Sequence, residues 1–430
     1  MGSRSRVDRR GFLACLRRSN LLTEEEFGEV VKHLPNTDAV RELARHLVAN
    51  GHLTRFQAEM LLAGRASGFI LGQYRILDQI GRGGMGRVFK AVHQTMNRIV
   101  ALKIVSSSLV KTERARKMFQ REVRAAARLM HPNIVTAYDA NQIGDRYYLV
   151  MEFVDGPNLE QLVREYGPLP VPVACEFIRQ ACLGLQAASE LGMVHRDIKP
   201  ANLLVQGTNT PNQRCIVKIL DFGLARLHAN VDDTGVYEGT IETHQNSVVG
   251  TPDYLSPEQA ADLHKADIRS DLYSLGCTMY FLLTGQVPFP GQSSLDKLVQ
   301  HSTATPVPIQ VLRPEVSTEV AAIVNKLMAK APEDRFQTPA ELAEALAPFA
   351  ENCAPFWKTE SNSELSLSEP ANLEDDNALA GTLPAHSSLT PLSNFGEPAL
   401  TWPQKLFRGF VLTLFVVCLA AFVGAMLYLF

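Results

Sequence analysis

Cysteines at metal-ligand spacing are missing from this sequence. Its seven (Cys15, Cys175, Cys182, Cys215, Cys277, Cys353 and Cys418) are odd in number and scattered over 430 residues. That excludes a disulfide framework and a zinc module, and a reducing compartment is expected. An excess of either charge is also missing. Lys and Arg total 42 against 45 Asp and Glu, a net charge of −3, so no global field attracts nucleic acid and no nucleic-acid partner is expected. The N-terminal residues carry no targeting signal. The apolar run Gly11–Leu16 is too short for a signal peptide, and Arg6 stands where myristoylation requires Ser or Thr. Hydrophobic residues make up 46% and charged residues 20%, which excludes a wholly disordered or collagen-like chain. At about 150 residues per domain, the length suggests two to three domains.

Charge is absent altogether from residues 409–430, the 22-residue run GFVLTLFVVCLAAFVGAMLYLF. A hydrocarbon core of about 30 Å needs about 20 helical residues, so a transmembrane helix is expected here. A buried core helix of that length would show some polar face. Lys405 and Arg408 flank the run on its N-terminal side, and the positive-inside rule keeps the preceding chain cytoplasmic. The expected localisation is the cell membrane, single-pass, with a C-terminal anchor.

Four textures follow one another. Residues 1–67 read as a helical N-terminal region, with Thr23 and Glu26 spaced as a capping box and Gly51 as a helix stop after DAVRELARHLVAN. Leu21-Leu22-Thr23 with Phe27 is echoed by His52-Leu53-Thr54 with Phe56, either a duplicated helical unit or two ordinary helix starts. From Tyr74 to Val105 short β-branched runs and glycines predict strands. Helical patterns follow at Thr112–Met130, Val173–Leu191, Asp271–Thr284 and Glu319–Ala329. Strands first and helices afterwards predict an α+β body in two lobes, over residues 74–348. Residues 351–404 hold eight acids against Lys358 and are rich in Ser and Pro, so a disordered acidic linker is expected, spanning roughly 40 Å as a coil.

Chemistry-bearing strings lie in the two-lobed body. Gly81-Arg82-Gly83-Gly84-Met85-Gly86-Arg87-Val88 fits G-x-G-x-x-G-x-V, in which glycines let backbone amides approach phosphate. A dinucleotide site would need a helix next. The strand pattern Val88–Val92 favours a strand–loop–strand flap instead. Lys103 sits in the apolar strand Ile99–Val105, where an ammonium needs an anion, and Glu122, on the apolar side of the next helix, is the candidate. His195-Arg196-Asp197-Ile198-Lys199-Pro200-Ala201-Asn202 offers a base, a phosphate clamp and a metal ligand. Nineteen residues beyond Asn202 comes Asp221-Phe222-Gly223. Two oxygen ligands plus phosphates suit Mg²⁺.

These strings, in this order, resemble the eukaryotic-type (Hanks-type) protein kinase family, most of all the membrane-anchored serine/threonine kinases of bacteria. The resemblance implies a bilobal protein-kinase fold, with a small β-rich N-lobe and a larger helical C-lobe. It implies ATP binding by Ile80, Gly81, Gly83, Gly86, Val88 and Lys103, with adenine on the backbone of Glu152 and Val154 behind a gatekeeper, Met151. Glu122 would hold Lys103, Asp197 would accept the proton of the substrate hydroxyl, and Lys199 would steady the phosphoryl group. Asn202 and Asp221 would hold Mg²⁺ or Mn²⁺. Glu258 would pair with Arg335, and Asp271 would brace the catalytic loop; Ser256 departs from the family's usual Ala.

Protein substrates follow from the same resemblance, together with self-association for trans-autophosphorylation. Arg196, beside Asp197, implies a phosphorylated activation loop, for which Thr240, Thr243 and Ser247 are the candidates. A kinase-shaped scaffold without catalysis is the rival, disfavoured because Lys103, Asp197, Asn202 and Asp221 are all intact. A third reading makes the N-terminal bundle an adaptor.

Overall fold

The computed structural model describes residues 7–83, 86–144, 146–207, 214–222, 252–262 and 265–350, all within one compact unit. The acidic linker, the apolar run 409–430 and the loop hydroxyls Thr240, Thr243 and Ser247 lie outside the described residues, as do Gly84 and Met85 of the flap. No helix among the described residues is long and apolar enough to cross a membrane.

Four short helices open the chain: α1 (Arg9–Arg18), α2 (Glu24–Lys32), α3 (Val40–Ala49) and α4 (Arg55–Leu62). Three of the four starts follow from a side-chain cap, and α3, preceded by Ala39, has none. The Asp8 carboxylate accepts from Gly11 N–H, and Thr23 closes a capping box with Glu26, as the spacing predicts. Thr54 closes a second box with Gln57, so the two echoed segments share a cap chemistry. α3 stops where expected, with Gly51 left-handed at φ 73° beyond the Asn50 cap. Phe12, Leu16, Leu43, Leu47 and Leu61 fill the bundle's own core.

Next come β1 (Ile70–Leu71), β2 (Tyr74–Gly83), β3 (Gly86–His93), β4 (Arg98–Val105), α5 (Glu113–Ala126), β5 (Ala137–Ile143) and β6 (Arg146–Glu152). The strands form one antiparallel sheet in the order β1-β2-β3-β4-β6-β5. Alternation along the strands gives two apolar faces. Ile76, Phe89, Val100 and Leu102 pack on one side with Phe56 of α4. Ala101, Val105, Leu149 and Met151 pack on the other with Phe119 of α5. α5 ends at Ala126, short of Met130, because Arg128 and Leu129 tighten into three-residue turns ahead of Pro132.

The second lobe contains α6 (Leu159–Tyr166), α7 (Val171–Glu190), the hairpin β7 (Leu203–Gln206) and β8 (Ile216–Ile219), α8 (Pro257–Ala261), α9 (Ile268–Thr284), α10 (Ser294–Thr303), α11 (Ile309–Leu312), α12 (Thr318–Leu327) and α13 (Pro339–Leu346). α7 and α9 are buried almost all round, and one large core surrounds them. Four buried thiols, Cys175, Cys182, Cys215 and Cys277, belong to that lobe. Burial pushes Cys175 up to about 12, so it is an inert packing residue.

Candidate active site

The glycine-rich string expected to form the phosphate flap is the β2–β3 hairpin. Gly81 faces Val88, and Gly83 faces Gly86 at its tip. Gly86 has φ 139°, and a Cβ there would lie 2.0 Å from the Ile104 carbonyl oxygen, so only glycine fits. Ile80 has no partner in the ladder and is 48% exposed, an apolar side chain at the lip of the flap. Val88 sits directly across β3–β4 from Lys103.

Lys103 is buried, on the same sheet face as Ala101 and Val105. Its ammonium lies 2.7 Å from Asp221 Oδ2. Glu122 is buried beside Phe119 on the face of α5 that meets this side of the sheet. The acid thus occupies the apolar face, as the sequence requires. Burial pushes the Asp221 carboxyl up, but the Lys103 charge and hydrogen bond outweigh it and hold the group below the ordinary carboxylate value.

Asp221 follows β8, which pairs with β7 along one edge and is held along the other by Asn133 and Gln180. Asn133 O accepts from Ile219 N–H at 2.9 Å, and Gln180 Oε1 accepts from Val217 N–H at 2.8 Å. Leu220 N–H then donates to Asn202 O at 2.9 Å, joining the two expected metal ligands through one backbone bond. Asp221 itself is left-handed, φ 62°, a conformation rare for any residue but glycine.

The catalytic loop is more tightly held. Arg196 is also left-handed, φ 69°, and Asp271 Oδ2 and Oδ1 accept from His195 N–H and Arg196 N–H, both at 2.7 Å. Burial raises the Asp271 carboxyl above the ordinary value, while His195 and these two bonds oppose the rise. His195 Nδ1 accepts from Asp197 N–H at 3.2 Å, so Nε2–H donates to the Leu220 carbonyl at 2.5 Å. The imidazole edge meets the Phe222 ring, with centroids 4.7 Å apart. Both Asp197 oxygens accept from Lys199 Nζ at 2.9 Å, and Asn202 Nδ2 donates to Asp197 O at 2.7 Å and Oδ2 at 3.0 Å. One carboxylate, one ammonium and one amide are therefore converged on a single point, held by a strained but over-determined backbone.

Glu258 and Arg335 meet as expected, in a two-pronged pair at 2.7 and 2.9 Å with Ser270 Oγ adding a third bond. Of the two residues expected at adenine, Glu152 donates its N–H to Thr136 O at 2.9 Å and pairs its carboxylate with Lys218, and Val154 is buried.

Gln259 was not singled out by the sequence. Its Nε2–H donates to Arg196 O at 3.0 Å, and its backbone and carboxamide close a capping box with the buried Ser256. Ser in place of Ala therefore caps α8 while α8 holds the catalytic loop. The spacing Ser256–Gln259 carries the cap signal but says nothing of Arg196.

The family described as the protein kinase domain matches residues 74–346. Serine/threonine-protein kinase PknB of Mycobacterium leprae is 40% identical over 274 residues, 63% of this chain and 42% of that protein. PknB of Mycolicibacterium smegmatis is 38% identical over 287 residues, 66% of this chain and 44% of that one. The chain therefore spans less than half the length of these curated relatives. Among solved structures, the kinase domain of Mycobacterium tuberculosis PknI aligns at TM-score 0.51 and 25% identity, covering 66% of this chain and 98% of that one. Rad53 residues 1–466 in complex with AMP-PNP aligns at 0.52 and 27% identity, covering 64% and 65%. With its motifs in order and its site assembled, the chain belongs to the protein kinase family.

Proposed function

We propose that this chain is an ATP-dependent serine/threonine protein kinase tethered to the cytoplasmic side of a membrane. The observation that supports it best is the convergence of Lys199 and Asn202 on Asp197, with Lys103 and Asp221 paired at 2.7 Å. A scaffold without catalysis has no use for a complete set. The names of the PknB relatives and the nucleotide complex of Rad53 point the same way.

In this reading the flap amides and Lys103 hold the ATP phosphates, and the Glu152 carbonyl and Val154 backbone hold adenine. Asp197 accepts the proton of a Ser or Thr hydroxyl as its oxygen bonds to the γ-phosphorus and the bond to the leaving ADP oxygen breaks. Lys199, already beside Asp197, neutralises charge on the phosphoryl oxygens. The remaining oxygens of Asn202 and Asp221, whose other atoms are held by Asp197 and Lys103, form a hard-donor pair suited to Mg²⁺ or Mn²⁺. That ion would neutralise phosphate charge when bound.

Membrane attachment by residues 409–430 rests on their 22 uncharged residues behind Lys405 and Arg408. Confinement to one surface would raise the local concentration of copies and favour autophosphorylation at Thr240, Thr243 or Ser247. Phosphate transfer from ATP to a Ser/Thr peptide, by wild type and by Asp221→Asn, tests the activity. Transfer by the first and near-complete loss in a folded second is expected; equal transfer by both would contradict the assignment. Removing residues 409–430 should move the kinase from the membrane to the soluble fraction, and retention in the membrane without aggregation would contradict the anchor.

A further inference from the structure

The N-terminal bundle ends in a helix that grips the strand leading into the phosphate flap. β1 covers Tyr74 and Arg75, and Ile76 N–H donates to Phe69 O at 2.8 Å, so β2 becomes the sheet edge from the Ile76 carbonyl onward. There the ladder slips: Ile76 faces Ala91 and Asp78 faces Lys90, leaving Leu77 bulged without a partner. A bulge bends and twists its strand, and an edge carbonyl left bare is costly when buried. Both carbonyls are met from α4. Gln57 Nε2–H donates to Ile76 O at 2.6 Å, and Thr54 Oγ1–H donates to Leu77 O at 2.5 Å. Phe56, between them, packs its ring on Phe89 of β3, with centroids 6.2 Å apart.

The same two side chains close the capping box of α4. Gln57 Oε1 accepts from Thr54 N–H at 2.9 Å, and Thr54 Oγ1 accepts from Gln57 N–H at 3.2 Å. Comparison with the first box is informative. There Glu26 supplies the acceptor for Thr23 N–H and, as a carboxylate, has no hydrogen to offer. At position 57 an amide does the same capping and keeps an N–H for the strand. Capping alone does not call for a donor there. Gln57 is 3% exposed, so its N–H has β2 and not water as its acceptor.

We propose that the N-terminal bundle is a positioning unit for the phosphate flap, with Thr54 and Gln57 as the positioning residues. By fixing the bulge four residues before Gly81, they set the direction in which β2 leaves the sheet, and so the height of the flap over the ATP phosphates. The inference rests on the kinase reading for its site. It adds a control point, since anything that lifts α4 from β2 would loosen nucleotide binding without touching the catalytic loop.

The test uses the full chain and four variants. Gln57→Glu keeps the cap acceptor and removes the donor to Ile76. Thr54→Val removes both the donor to Leu77 and the cap acceptor for Gln57 N–H, Thr54→Ser retains both, and Glu26→Gln in the first box is the control. KM for ATP, KM for a peptide acceptor and kcat are measured, with ATP affinity by calorimetry and folding by thermal denaturation. Gln57→Glu and Thr54→Val should raise KM and Kd for ATP by about three- to tenfold, the scale of one ordinary hydrogen bond or two. Acceptor KM and kcat should stay within about twofold, Thr54→Ser should restore wild-type values, and Glu26→Gln should change nothing. Unchanged ATP affinity in folded Gln57→Glu and Thr54→Val would overturn the inference. So would a fall in kcat that simply tracks melting temperature. If wild type transfers no phosphate, the kinase reading fails, but the calorimetric arm still decides whether α4 governs nucleotide affinity.

Discussion

The two lobes bury their apolar side chains in different ways. The first spreads them over both faces of one sheet as two thin layers, one backed by α4 of the bundle and the other by α5. The second gathers them into one large core around α7 and α9. Glycines show the consequence. Gly86 lies at the open tip of the flap, where a Cβ would strike the Ile104 backbone. Gly276 lies inside the C-lobe, where a Cβ would sit 2.7 Å from Leu327 Cβ across the α9–α12 contact. A thin lobe can yield locally, whereas a thick core cannot yield and so can hold Asp197 at a fixed point. In the proposed function, binding and chemistry divide accordingly.

The largest stability effect is expected in the thick lobe. Arg335→Met removes a fully buried cation and leaves the part-buried Glu258 carboxylate, its side chain 14% exposed, without its partner. Loss of such a partner costs about 3–5 kcal/mol, to be read as a shift in the urea midpoint.

Acid should weaken the same lobe through His301. The residue is fully buried, its Nδ1 meets Tyr273 Oη at 2.9 Å, and burial and the nearby Lys330 charge push it down to about 4. In the unfolded chain its value is about 6.5. The unfolded state therefore binds more protons between these values, so stability is full above pH 6.5, falls as pH drops, and levels off below about 4. The total change is on the order of 3 kcal/mol. Denaturation across pH 4–7 should show a slope that His301→Phe flattens; an unchanged slope would assign it to other groups.

Smaller, and sharper as a comparison, is the pair of glycine substitutions. Gly276→Ala should lower stability by about 1–3 kcal/mol through overpacking, with KM for ATP unchanged in the folded fraction. Gly86→Ala should do the reverse, raising KM for ATP by about tenfold, or roughly 1.4 kcal/mol, while the melting temperature moves less than for Gly276→Ala. The flap tip can open alone, because Gly83–Gly86 and Gly86–Val105 are the last pairs of their ladders. Equal loss of stability in both variants would contradict the division between lobes.

Much of this site is legible in the sequence because phosphate chemistry demands particular residue types at fixed spacing. Lys199 and Asn202 stand two and five residues from Asp197, and a local loop carries such intervals into space unchanged. Helix limits at Thr23, Thr54 and Gly51 are legible for the same reason. What spacing does not reveal is docking between distant segments. Lys103 bonds Asp221 across 118 residues, Gln259 reaches Arg196 across 63, and Gln57 reaches Ile76 across 19. In the sequence neither Gln57 nor Gln259 stands out. Their second bonds exist because tertiary packing brings a strand or loop carbonyl alongside, and no local pattern encodes that.

The division of labour is tested most directly by Asp197→Asn, with nucleotide affinity and phosphate transfer measured on the same preparation. The amide keeps the shape of the carboxylate but cannot accept the proton of a hydroxyl. ATP affinity should stay within about twofold, while transfer to a Ser/Thr peptide falls by about 10²–10⁴, the range of a lost general base. Retained transfer, or an ATP affinity that collapses along with it, would contradict the account.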